Sequence, residues 1–410
     1  MTAGRTKAVL LIIDGLGDLP IAELGGRTPL ESAATPNLDA LAGSGACGVV
    51  DPIETGEVPN THTGTGVLMG VLAGQAAKLQ RGPVEAAGAG RRLERGEVAV
   101  RANFATLRDS EGGPEVLDRR AGRICRDTDR LAASLSGIDL GDGNSGTLVA
   151  TDQHRGVLIL SGPGLDPAVS DTDPGDREVP APLLPCRPLR PAATRTADKI
   201  NRFLREARRR LEQHPVNVAR RARGELPANG LLTRGAGGCC ELQNLLGPLG
   251  IRGSMIAGCN TVRGLARLFG YDVVVDARFT ADLQTDVAAK IAAARDALRD
   301  HEMVFLHFKA PDICAHDRQP RAKRDFLERI DRELAPLLQE NLVVAVAADH
   351  TTDSNTGRHT ADPVPVLIGR APLDLAAPPV AFGEAACRRG NLGRLSSEAF
   401  LARTIEAMGY

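Results

Sequence analysis

The stretch Leu342-Val343-Val344-Ala345-Val346-Ala347-Ala348-Asp349-His350 decides the fold of this 410-residue chain. Its unbroken apolar run predicts a strand buried on both faces, as in a parallel sheet covered by helices. Asp349 and His350 follow where the run stops, and ligands of open α/β sheets bind beyond the carboxyl ends of the strands. Carboxylate and imidazole, with His359 further on, suit a divalent transition metal. The alternative is that Asp349 caps a turn and His350 binds nothing.

Two other apolar runs end in the same way. Residues 8–13 are followed by Asp14, and residues 303–308 lead to Asp312 and His316. The last two are four residues apart, so on a helix they point to one side. Because strand ends of a parallel sheet converge, we predict a cluster for two metal ions, which would clamp the attacking and leaving oxygens of a phosphoryl transfer. The predicted ligands are Asp14, Thr61, Asp312, His316, Asp349, His350 and His359.

A segment rich in hydroxyl groups, residues 60–65, precedes another apolar stretch. It predicts a helix that begins at Thr61 or Thr63. A hydroxyl at a helix N-terminus lies among free backbone N–H groups, which favour a bound phosphoryl group. A plain helix cap is the alternative interpretation.

The middle of the chain has a different texture from both ends. It contains a proline-rich stretch over residues 179–191, typical of a linker or exposed loop. We predict a core domain from residues 1–83 and 231–410, with residues 84–230 inserted as a second domain. The basic run with Arg119, Arg120 and Arg123 predicts an anion site there, because guanidinium groups bind phosphate and carboxylate through paired hydrogen bonds. A solvated surface is the alternative.

Composition excludes several classes of function. The net charge is -1, and 42% of the residues are hydrophobic, so neither a nucleic-acid nor a membrane partner is indicated. The eight cysteines include no Cys-x-x-Cys pair, which favours reduced thiols. The first residues lack a signal-peptide pattern, and residues 8–13 are too few to span a bilayer. We therefore expect a cytoplasmic protein, and the sequence leaves a homo-oligomer open.

Taken in order, these motifs resemble the archaeal-type cofactor-independent phosphoglycerate mutases, within the alkaline phosphatase superfamily. The resemblance extends over nearly the whole chain. It is carried by residues 12–15, 101–106, 118–123, 154–157, 171–174, 232–237, 307–312, 348–352 and 359–366.

The resemblance implies an α/β fold: an alkaline-phosphatase-like, mostly parallel sheet sandwiched by helices, with an inserted α+β lid domain that closes over substrate. One metal would be held by Asp312, His316 and His359. The other would be held by Asp14, Asp349, His350 and the nucleophile hydroxyl. Catalytic roles are predicted for Thr61, His62 and Lys309, and substrate binding for Asp118, Arg119, Arg120, Arg123 and Arg234.

This chain departs from the family at the nucleophile. The family has serine at the position of Thr61, aspartate at that of His62 and histidine at that of Thr65. Threonine keeps the hydroxyl, so we predict that Thr61 is the nucleophile. The charge beside it changes from anionic to neutral or cationic, and we predict poor turnover in phosphoglycerate mutation.

The leading hypothesis is a two-metal phosphoryl-transfer enzyme acting on a phosphoglycerate-like substrate. Mn²⁺ or Zn²⁺ suits the mixed ligands best, with Mg²⁺, Co²⁺ and Fe²⁺ as alternatives. Three other functions stay open at this point. They are transfer of a related phosphorus group, for example a nucleotide-activated phosphonate passed to a glycerate-like acceptor; phosphoester hydrolysis; and binding of a phosphorylated or phosphonylated ligand without catalysis.

Overall fold

The computed structural model describes residues 5–76, 79–175, 177–240, 242–243, 245–373 and 378–410. The chain divides into two compact units, the first formed by Met1–Leu79 with Leu242–Tyr410 and the second by Gln80–Glu241. Among the described helices, none combines the length and the apolar character needed to cross a membrane.

The described chain contains both strands and helices. The strands are β1 (Lys7–Ile13), β2 (Ala46–Asp51), β3 (Val98–Ser110), β4 (Gly113–Asp118), β5 (Ile138–Gly141), β6 (Asn144–Ala150), β7 (Arg155–Ser161), β8 (Ala181–Pro182), β9 (Gly230–Gly237), β10 (Gly253–Ile256), β11 (Asp272–Val274), β12 (Met303–Phe308), β13 (Leu342–Ala347), β14 (Thr351–Asp353), β15 (Arg358–Thr360), β16 (Val364–Ala371) and β17 (Gly393–Ser396). The helices are α1 (Pro29–Ser32), α2 (Pro36–Ser44), α3 (Thr61–Leu68), α4 (Ala73–Ala76), α5 (Arg81–Gly88), α6 (Thr128–Ala133), α7 (Thr194–Glu212), α8 (Pro215–Ala222), α9 (Asn260–Phe269), α10 (Val287–Ala297), α11 (Ala310–His316), α12 (Pro320–Glu333), α13 (Glu384–Cys387) and α14 (Ser397–Ala407).

The first unit is built on an eight-stranded sheet with the order β11-β10-β12-β1-β13-β16-β2-β17. β1 lies between β12 and β13 and pairs in parallel with both, and β10 and β11 continue the parallel pairing. Only β16 runs against its neighbours β13 and β2. The three central strands are apolar and buried, as the sequence predicts for a parallel sheet covered on both faces. The predicted mostly parallel α/β fold is confirmed.

Register brings the carboxyl ends of the central strands to one level. Ile12 of β1 pairs with His307 of β12 and with Ala347 of β13, so the chain leaves all three strands at the same edge. α11 begins at Ala310, immediately after β12, and a short hairpin of β14 and β15 follows β13. This edge of the sheet therefore collects the residues that follow each strand.

The second unit contains a seven-stranded sheet, with β5-β6-β7-β3-β4-β8 in order and β9 paired with β3. All its strand pairs are antiparallel. The long helix α7 packs Ile200 and Phe203 into the apolar core on one face of this sheet, with Phe104 and Leu131. Burial of such large side chains contributes about 1.5–3 kcal/mol each, so this unit has a core of its own.

The unit boundaries differ from the predicted ones. The sequence places residue 231 at the return to the core, but residues 230–237 form β9, which pairs with β3 from Phe104↔Leu231 to Ala99↔Gly237. Strand pairing therefore keeps this segment in the second unit, and the chain returns to the first unit at Leu242. On the other side, α5 begins at Arg81, within the range predicted for the core.

Candidate metal centre and arginine cluster

Six of the predicted metal ligands lie at the carboxyl edge of the first unit's sheet or directly after it. Asp14 follows β1, and its backbone N–H donates to the carbonyl of Phe308 at 3.0 Å. Asp349 and His350 follow β13 in the same way. Asp312 and His316 lie one turn apart on α11, which fulfils the helix prediction made from their spacing. The sixth, His359, lies on β15.

A first group of ligand atoms surrounds Asp312. Its Oδ1 lies 3.4 Å from His316 Nε2 and 3.4 Å from His359 Nε2, and the two Nε2 atoms are 3.2 Å apart. Each imidazole also has Nδ1 next to a backbone carbonyl, at 2.8 Å from Gly357 O for His316 and 2.9 Å from Pro59 O for His359. With Nδ1–H donating to these carbonyls, both Nε2 lone pairs face the carboxylate. This donor set fits a divalent metal with oriented imidazole ligands.

A second group of ligand atoms surrounds His350. Its Nε2 lies 3.3 Å from Asp14 Oδ1 and 3.3 Å from Asp349 Oδ2, and 3.4 Å from the Thr61 hydroxyl. Asp14, Asp349 and His350 are fully buried. Asp312 also comes within 4.8 Å of the ligand atoms of Asp14 and His350, so the two groups are contiguous.

Thr61 is the first residue of α3, one of the two starts that the sequence predicts. Asn60 precedes the helix, and its backbone N–H and carbonyl bind the Thr63 hydroxyl, both at 3.0 Å, so Thr63 supports the turn. Gly64 allows the close approach of α3, because a Cβ there would meet the Asp349 carbonyl oxygen at 2.0 Å. The helix N-terminus thereby presents the Thr61 hydroxyl to the second group of ligands.

Lys309 lies at the centre of the acidic residues. Its Nζ is 2.9 Å from Asp14 Oδ1 and 2.6 Å from Asp312 Oδ2, and it donates to Thr61 Oγ1 at 2.9 Å. Burial alone would lower the pKa of Lys309, but the two carboxylates raise it above its ordinary value. Burial opposes ionisation of Asp14 and Asp312, yet the Lys309 ammonium holds both pKa values below the ordinary range. The structure thus pairs Lys309 with the acids and leaves it charged beside the hydroxyl.

The pKa values of Asp349 and His350, the other two titratable ligands of the second group, shift in opposite directions. Burial and the nearby Asp14 carboxylate raise the pKa of Asp349 well above its usual value. Burial and the His359 imidazole lower the pKa of His350 to about 4, against the effect of Asp14. His350 is therefore neutral at physiological pH, the form that ligates metals.

Two further residues of the nucleophile segment, His62 and Thr65, are buried on α3. Thr65 is fully buried, and its hydroxyl points to Asp349 Oδ2 at 3.4 Å. His62 is buried on the first turn of the helix. The residue at position 65 is thus in contact with a predicted metal ligand.

His307 is a site residue that sequence reasoning missed. It lies within β12, fully buried, with Nε2 at 3.1 Å from Asp14 Oδ2. A histidine inside an otherwise apolar buried strand was the available signal, because a buried imidazole requires a polar partner.

The second unit contains a separate group, here called the arginine cluster: Arg101, Arg119, Arg155 and Arg234. Arg101 on β3 pairs across the sheet with Arg234 on β9, and Asn103, two residues along β3, pairs with Arg155 on β7. Directly opposed residues share a face of the sheet, so three guanidinium groups stand on one face. Arg119 belongs to the same group because its Nε donates to Asp173 Oδ1 at 2.7 Å, and both Asp173 and Arg119 lie close enough to Arg234 to affect its pKa.

Several nitrogens of this cluster are buried without a hydrogen-bond partner among the described residues. They are Nε and Nη1 of Arg101, Nε of Arg155, Nε of Arg234 and Nδ1 of the adjacent His154. Among the described residues, Glu85 forms an ion pair with Arg101, with 3.5 Å between its Oε1 and Nη1 of Arg101. Burial and the guanidinium groups of Arg81 and Arg234 lower the pKa of Arg101, and burial and Arg155 lower that of His154 to about 2. In the described part of the chain, four unpaired guanidinium nitrogens outnumber the two neighbouring buried acceptors that also lack a partner, Asn103 Oδ1 and Asp173 Oδ2, so the cluster has an excess of donors, as an anion site does.

The predicted substrate residues divide into two sets. Arg119 and Arg234 belong to the arginine cluster. Arg120 and Arg123 are exposed on the turn after β4, and Asp118 accepts from the backbone N–H of Arg120 at 2.6 Å, which holds that turn. The sequence did not single out Arg101 or Arg155 as site residues, although the two-residue spacing of Arg101 and Asn103, which places two side chains on one face of a strand, was a signal.

Comparisons with known proteins agree with this geometry. A family model described as the metalloenzyme superfamily matches residues 6–402. The chain is 40% identical over 407 residues to the 2,3-bisphosphoglycerate-independent phosphoglycerate mutase of Methanopyrus kandleri, covering 97% of this chain and 95% of that protein. It is similar to the solved PH0037 protein from Pyrococcus horikoshii, with a TM-score of 0.80, 30% identity and coverage of 99% and 98% of the two chains. It is also similar to the cofactor-independent phosphoglycerate mutase from Thermoplasma acidophilum, with a TM-score of 0.63, 32% identity and coverage of 98% and 99%.

Proposed function

We propose a function from the premise that this chain belongs to the metalloenzyme superfamily and, within it, to the cofactor-independent phosphoglycerate mutases. It is accordingly a metal-dependent enzyme of phosphoryl transfer with a small phosphorylated substrate. The proposal is that Thr61 is the nucleophile, that two divalent ions are bound beside it, and that the substrate resembles phosphoglycerate.

One observation carries this proposal. The Thr61 hydroxyl stands at a helix N-terminus, 2.9 Å from the Lys309 ammonium and 3.4 Å from His350 Nε2. The Lys309 ammonium and the positive end of the α3 dipole favour the alkoxide of this hydroxyl, and the backbone N–H groups of α3 favour the phosphoryl group that it attacks. A structural cap would not require a buried lysine and a buried imidazole at the same oxygen.

The ligands divide as the family resemblance implies. Asp312, His316 and His359 would hold one ion, and Asp14, Asp349 and His350, with the Thr61 hydroxyl, the other. Bound ions would lower the pKa of the hydroxyl and polarise the phosphorus centre. The mixed carboxylate and imidazole set favours Mn²⁺ or Zn²⁺ over Ca²⁺.

The chain's own residues account for two successive transfers. In the first, the bond from Thr61 Oγ1 to phosphorus forms as the bond from the substrate oxygen to phosphorus breaks, and the proton of the Thr61 hydroxyl ends on the departing oxygen. Lys309 donates to Thr61 Oγ1, so its charge stabilises the oxygen after its proton has left. In the second transfer an acceptor hydroxyl takes the phosphoryl group, and Thr61 recovers its hydroxyl.

The arginine cluster is assigned to the substrate's anionic groups. Its buried donors lack acceptors among the described residues, and a phosphate or carboxylate supplies oxygens in the matching geometry. The role of the second unit as a lid stays a prediction of the sequence.

A second candidate is the transfer of a related phosphorus group, such as a phosphonate, to a glycerate-like acceptor. The observation that favours it is Thr65, which contacts Asp349 where the family has an imidazole. A mutase must hold the glycerate while the phosphoryl group moves to the neighbouring oxygen, so the groups beside the nucleophile are tightly constrained. We expect the enzyme to be a poor phosphoglycerate mutase.

The direct test is intact-protein mass spectrometry after incubation with Mn²⁺ and 3-phosphoglycerate or other phosphomonoesters. Wild type and Thr61→Ser should gain the mass of a phosphoryl group at residue 61, and Thr61→Val should not. Modification of Thr61→Val to the wild-type extent would refute the nucleophile assignment.

A coupled mutase assay separates the two candidates. It compares wild type with a variant that carries Thr61→Ser, His62→Asp and Thr65→His together. Wild-type turnover of about 1–1000 per second, the ordinary range of enzymes, would establish the protein as a mutase and exclude the second candidate.

A further inference from the structure

Thr352 contacts one ligand from each predicted metal group. It lies on β14, two residues after His350, and is fully buried. Its Oγ1 is 2.9 Å from His350 Nδ1 and 2.9 Å from Asp312 Oδ1. One hydroxyl thus joins an imidazole of the second group to the carboxylate of the first.

The direction of these two hydrogen bonds follows from proton counting. Asp312 is paired with the Lys309 ammonium at 2.6 Å, so it is a carboxylate and can only accept. Thr352 has a single hydroxyl proton, which it donates to Asp312. Its lone pair then accepts from Nδ1–H of His350, so the proton is on Nδ1, and Nε2 offers a lone pair towards Asp14 and Asp349.

Thr352 is held firmly in this position. Its N–H donates to the Gly17 carbonyl at 3.0 Å, and its own carbonyl accepts from Lys323 Nζ at 3.3 Å. Lys323 is completely buried and forms an ion pair with Asp18 at 2.7 Å. Gly15 has φ +64° and leaves room for the hydroxyl, since a Cβ there would lie 2.7 Å from Thr352 Oγ1. A side chain fixed by backbone and packing can orient the ligands that it binds.

We propose that Thr352 is a positioning residue that fixes the tautomer of His350 and couples the two metal positions to each other. The inference rests on the two-metal function proposed above. Mutation of a residue that hydrogen-bonds to a metal ligand typically lowers metal affinity or activity by about 10–100-fold. Since Thr352 contacts both groups, loss of its hydroxyl should weaken the binding of both ions and reduce their cooperativity.

The experiment titrates the full-length metal-free protein with Mn²⁺ and counts bound ions by electron paramagnetic resonance, which detects free Mn²⁺ and coupled pairs separately. Thr352→Val removes the hydroxyl at constant shape, and Thr352→Ser restores it. Thr351→Val is the matched control, because the neighbouring Thr351 is also buried but its hydroxyl has no hydrogen-bond partner among the described residues.

The proposal expects about 10–100-fold weaker Mn²⁺ binding and a smaller coupled-pair signal in Thr352→Val, with Thr352→Ser and Thr351→Val close to wild type. Wild-type binding in Thr352→Val, or equal loss in Thr352→Ser, would overturn it. Fewer than two ions on wild type would refute the two-metal function itself. If Thr352→Val does not fold, Thr352→Ala, which also lacks the hydroxyl but adds no bulk, is titrated in its place with the same criteria.

Discussion

The metal centre of the first unit and the arginine cluster of the second are both buried and polar, but they balance charge in opposite ways. Lys309 contacts Asp14 and Asp312 directly, and hydrogen bonds link the surrounding ligands into one network. The arginine cluster has buried guanidinium nitrogens without acceptors among the described residues. One region is compensated in part by its own chain, and the other has buried guanidinium charge that the described acids balance only in part.

The difference in charge indicates which kind of ligand each region favours. A buried charge costs several kcal/mol unless it is paired, so a fold retains such charge chiefly where a ligand completes it. The ionised Asp14 and Asp312 face one lysine and the neutral His350, an excess of negative charge that attracts cations. Arg101, with its neighbours, has an excess of positive charge that attracts anions. A divalent metal and a phosphate are the complementary pair.

The largest effect should come from breaking the first region at Asp312. Asp312→Asn removes the carboxylate that both ligand groups share, and metal stabilisation of phosphoryl transfer is worth several kcal/mol. We expect kcat to fall at least roughly 1000-fold, with loss of metal at the His316 and His359 position. Elemental analysis and kinetics on the phospho-substrate measure both.

Asp325→Asn, on the exposed face of α12, is the control for this change. Normal metal content in Asp312→Asn would contradict the ligand assignment and remove one side of the comparison.

A second prediction concerns Glu384, a buried carboxyl of the first unit that accepts from neutral donors, the Asp18 N–H and the Thr28 hydroxyl. Burial raises its pKa from 4.5 to about 7. A raised pKa stabilises the fold at low pH, so this contribution is complete below about pH 4.5 and is lost as pH rises through about 7. The shift is worth about 3 kcal/mol.

Chemical unfolding of wild type and Glu384→Gln between pH 4.5 and 8 measures how the free energy of unfolding depends on the protonation of Glu384. The amide can accept from the Asp18 N–H and donate to the Thr28 hydroxyl oxygen but does not titrate, so the variant should lose most of this pH dependence. If the free energy of unfolding had the same pH dependence in the two proteins, Glu384 would titrate normally. The cost of burying its carboxylate would then be offset by neighbouring groups.

Arg234→Met tests the second region. A charge-assisted hydrogen bond contributes about 1.5–3 kcal/mol, so we expect KM to rise about 10–100-fold while metal content stays unchanged. Because Arg234 has a buried Nε without an acceptor, removing it should leave the melting temperature unchanged or higher. Arg209→Met, on the exposed face of α7, is the matched control. A lower melting temperature with unchanged KM would make the cluster structural.

The smallest effect should follow Arg120→Ala. Arg120 is exposed at the turn after β4, where water screens its interaction with an anion. We expect a rise in KM of about 2–5-fold, the equivalent of up to 1 kcal/mol, with normal metal content. An effect as large as that of Arg234→Met would extend the cluster to this turn.

The sequence could predict which residues meet in the first region because that information is local. Apolar runs identify β1, β12 and β13, and the acids and histidines directly follow those runs. The arginine cluster depends on which residues face each other across antiparallel strands, and that register is a tertiary property. Arg101 and Arg155 become neighbours of Arg234 only through this register. The anion site was therefore predicted from the basic run at residues 118–123 instead. Thr352 was missed for the same reason, since its partners lie on other elements.

The position of β1 between β12 and β13 has a consequence for synthesis on the ribosome. Ala8 pairs with Met303 on one side and with Val343 on the other. One edge of this apolar strand can therefore pair only after β12 has been synthesised, and the other only after β13. The second unit is encoded in one continuous stretch and can fold earlier. Pairing between distant segments is slow, and unpaired apolar edges aggregate. We therefore expect the nascent N-terminal strand to stay unpaired until β12 and β13 have been synthesised, and the yield of active protein to depend on chaperones and temperature.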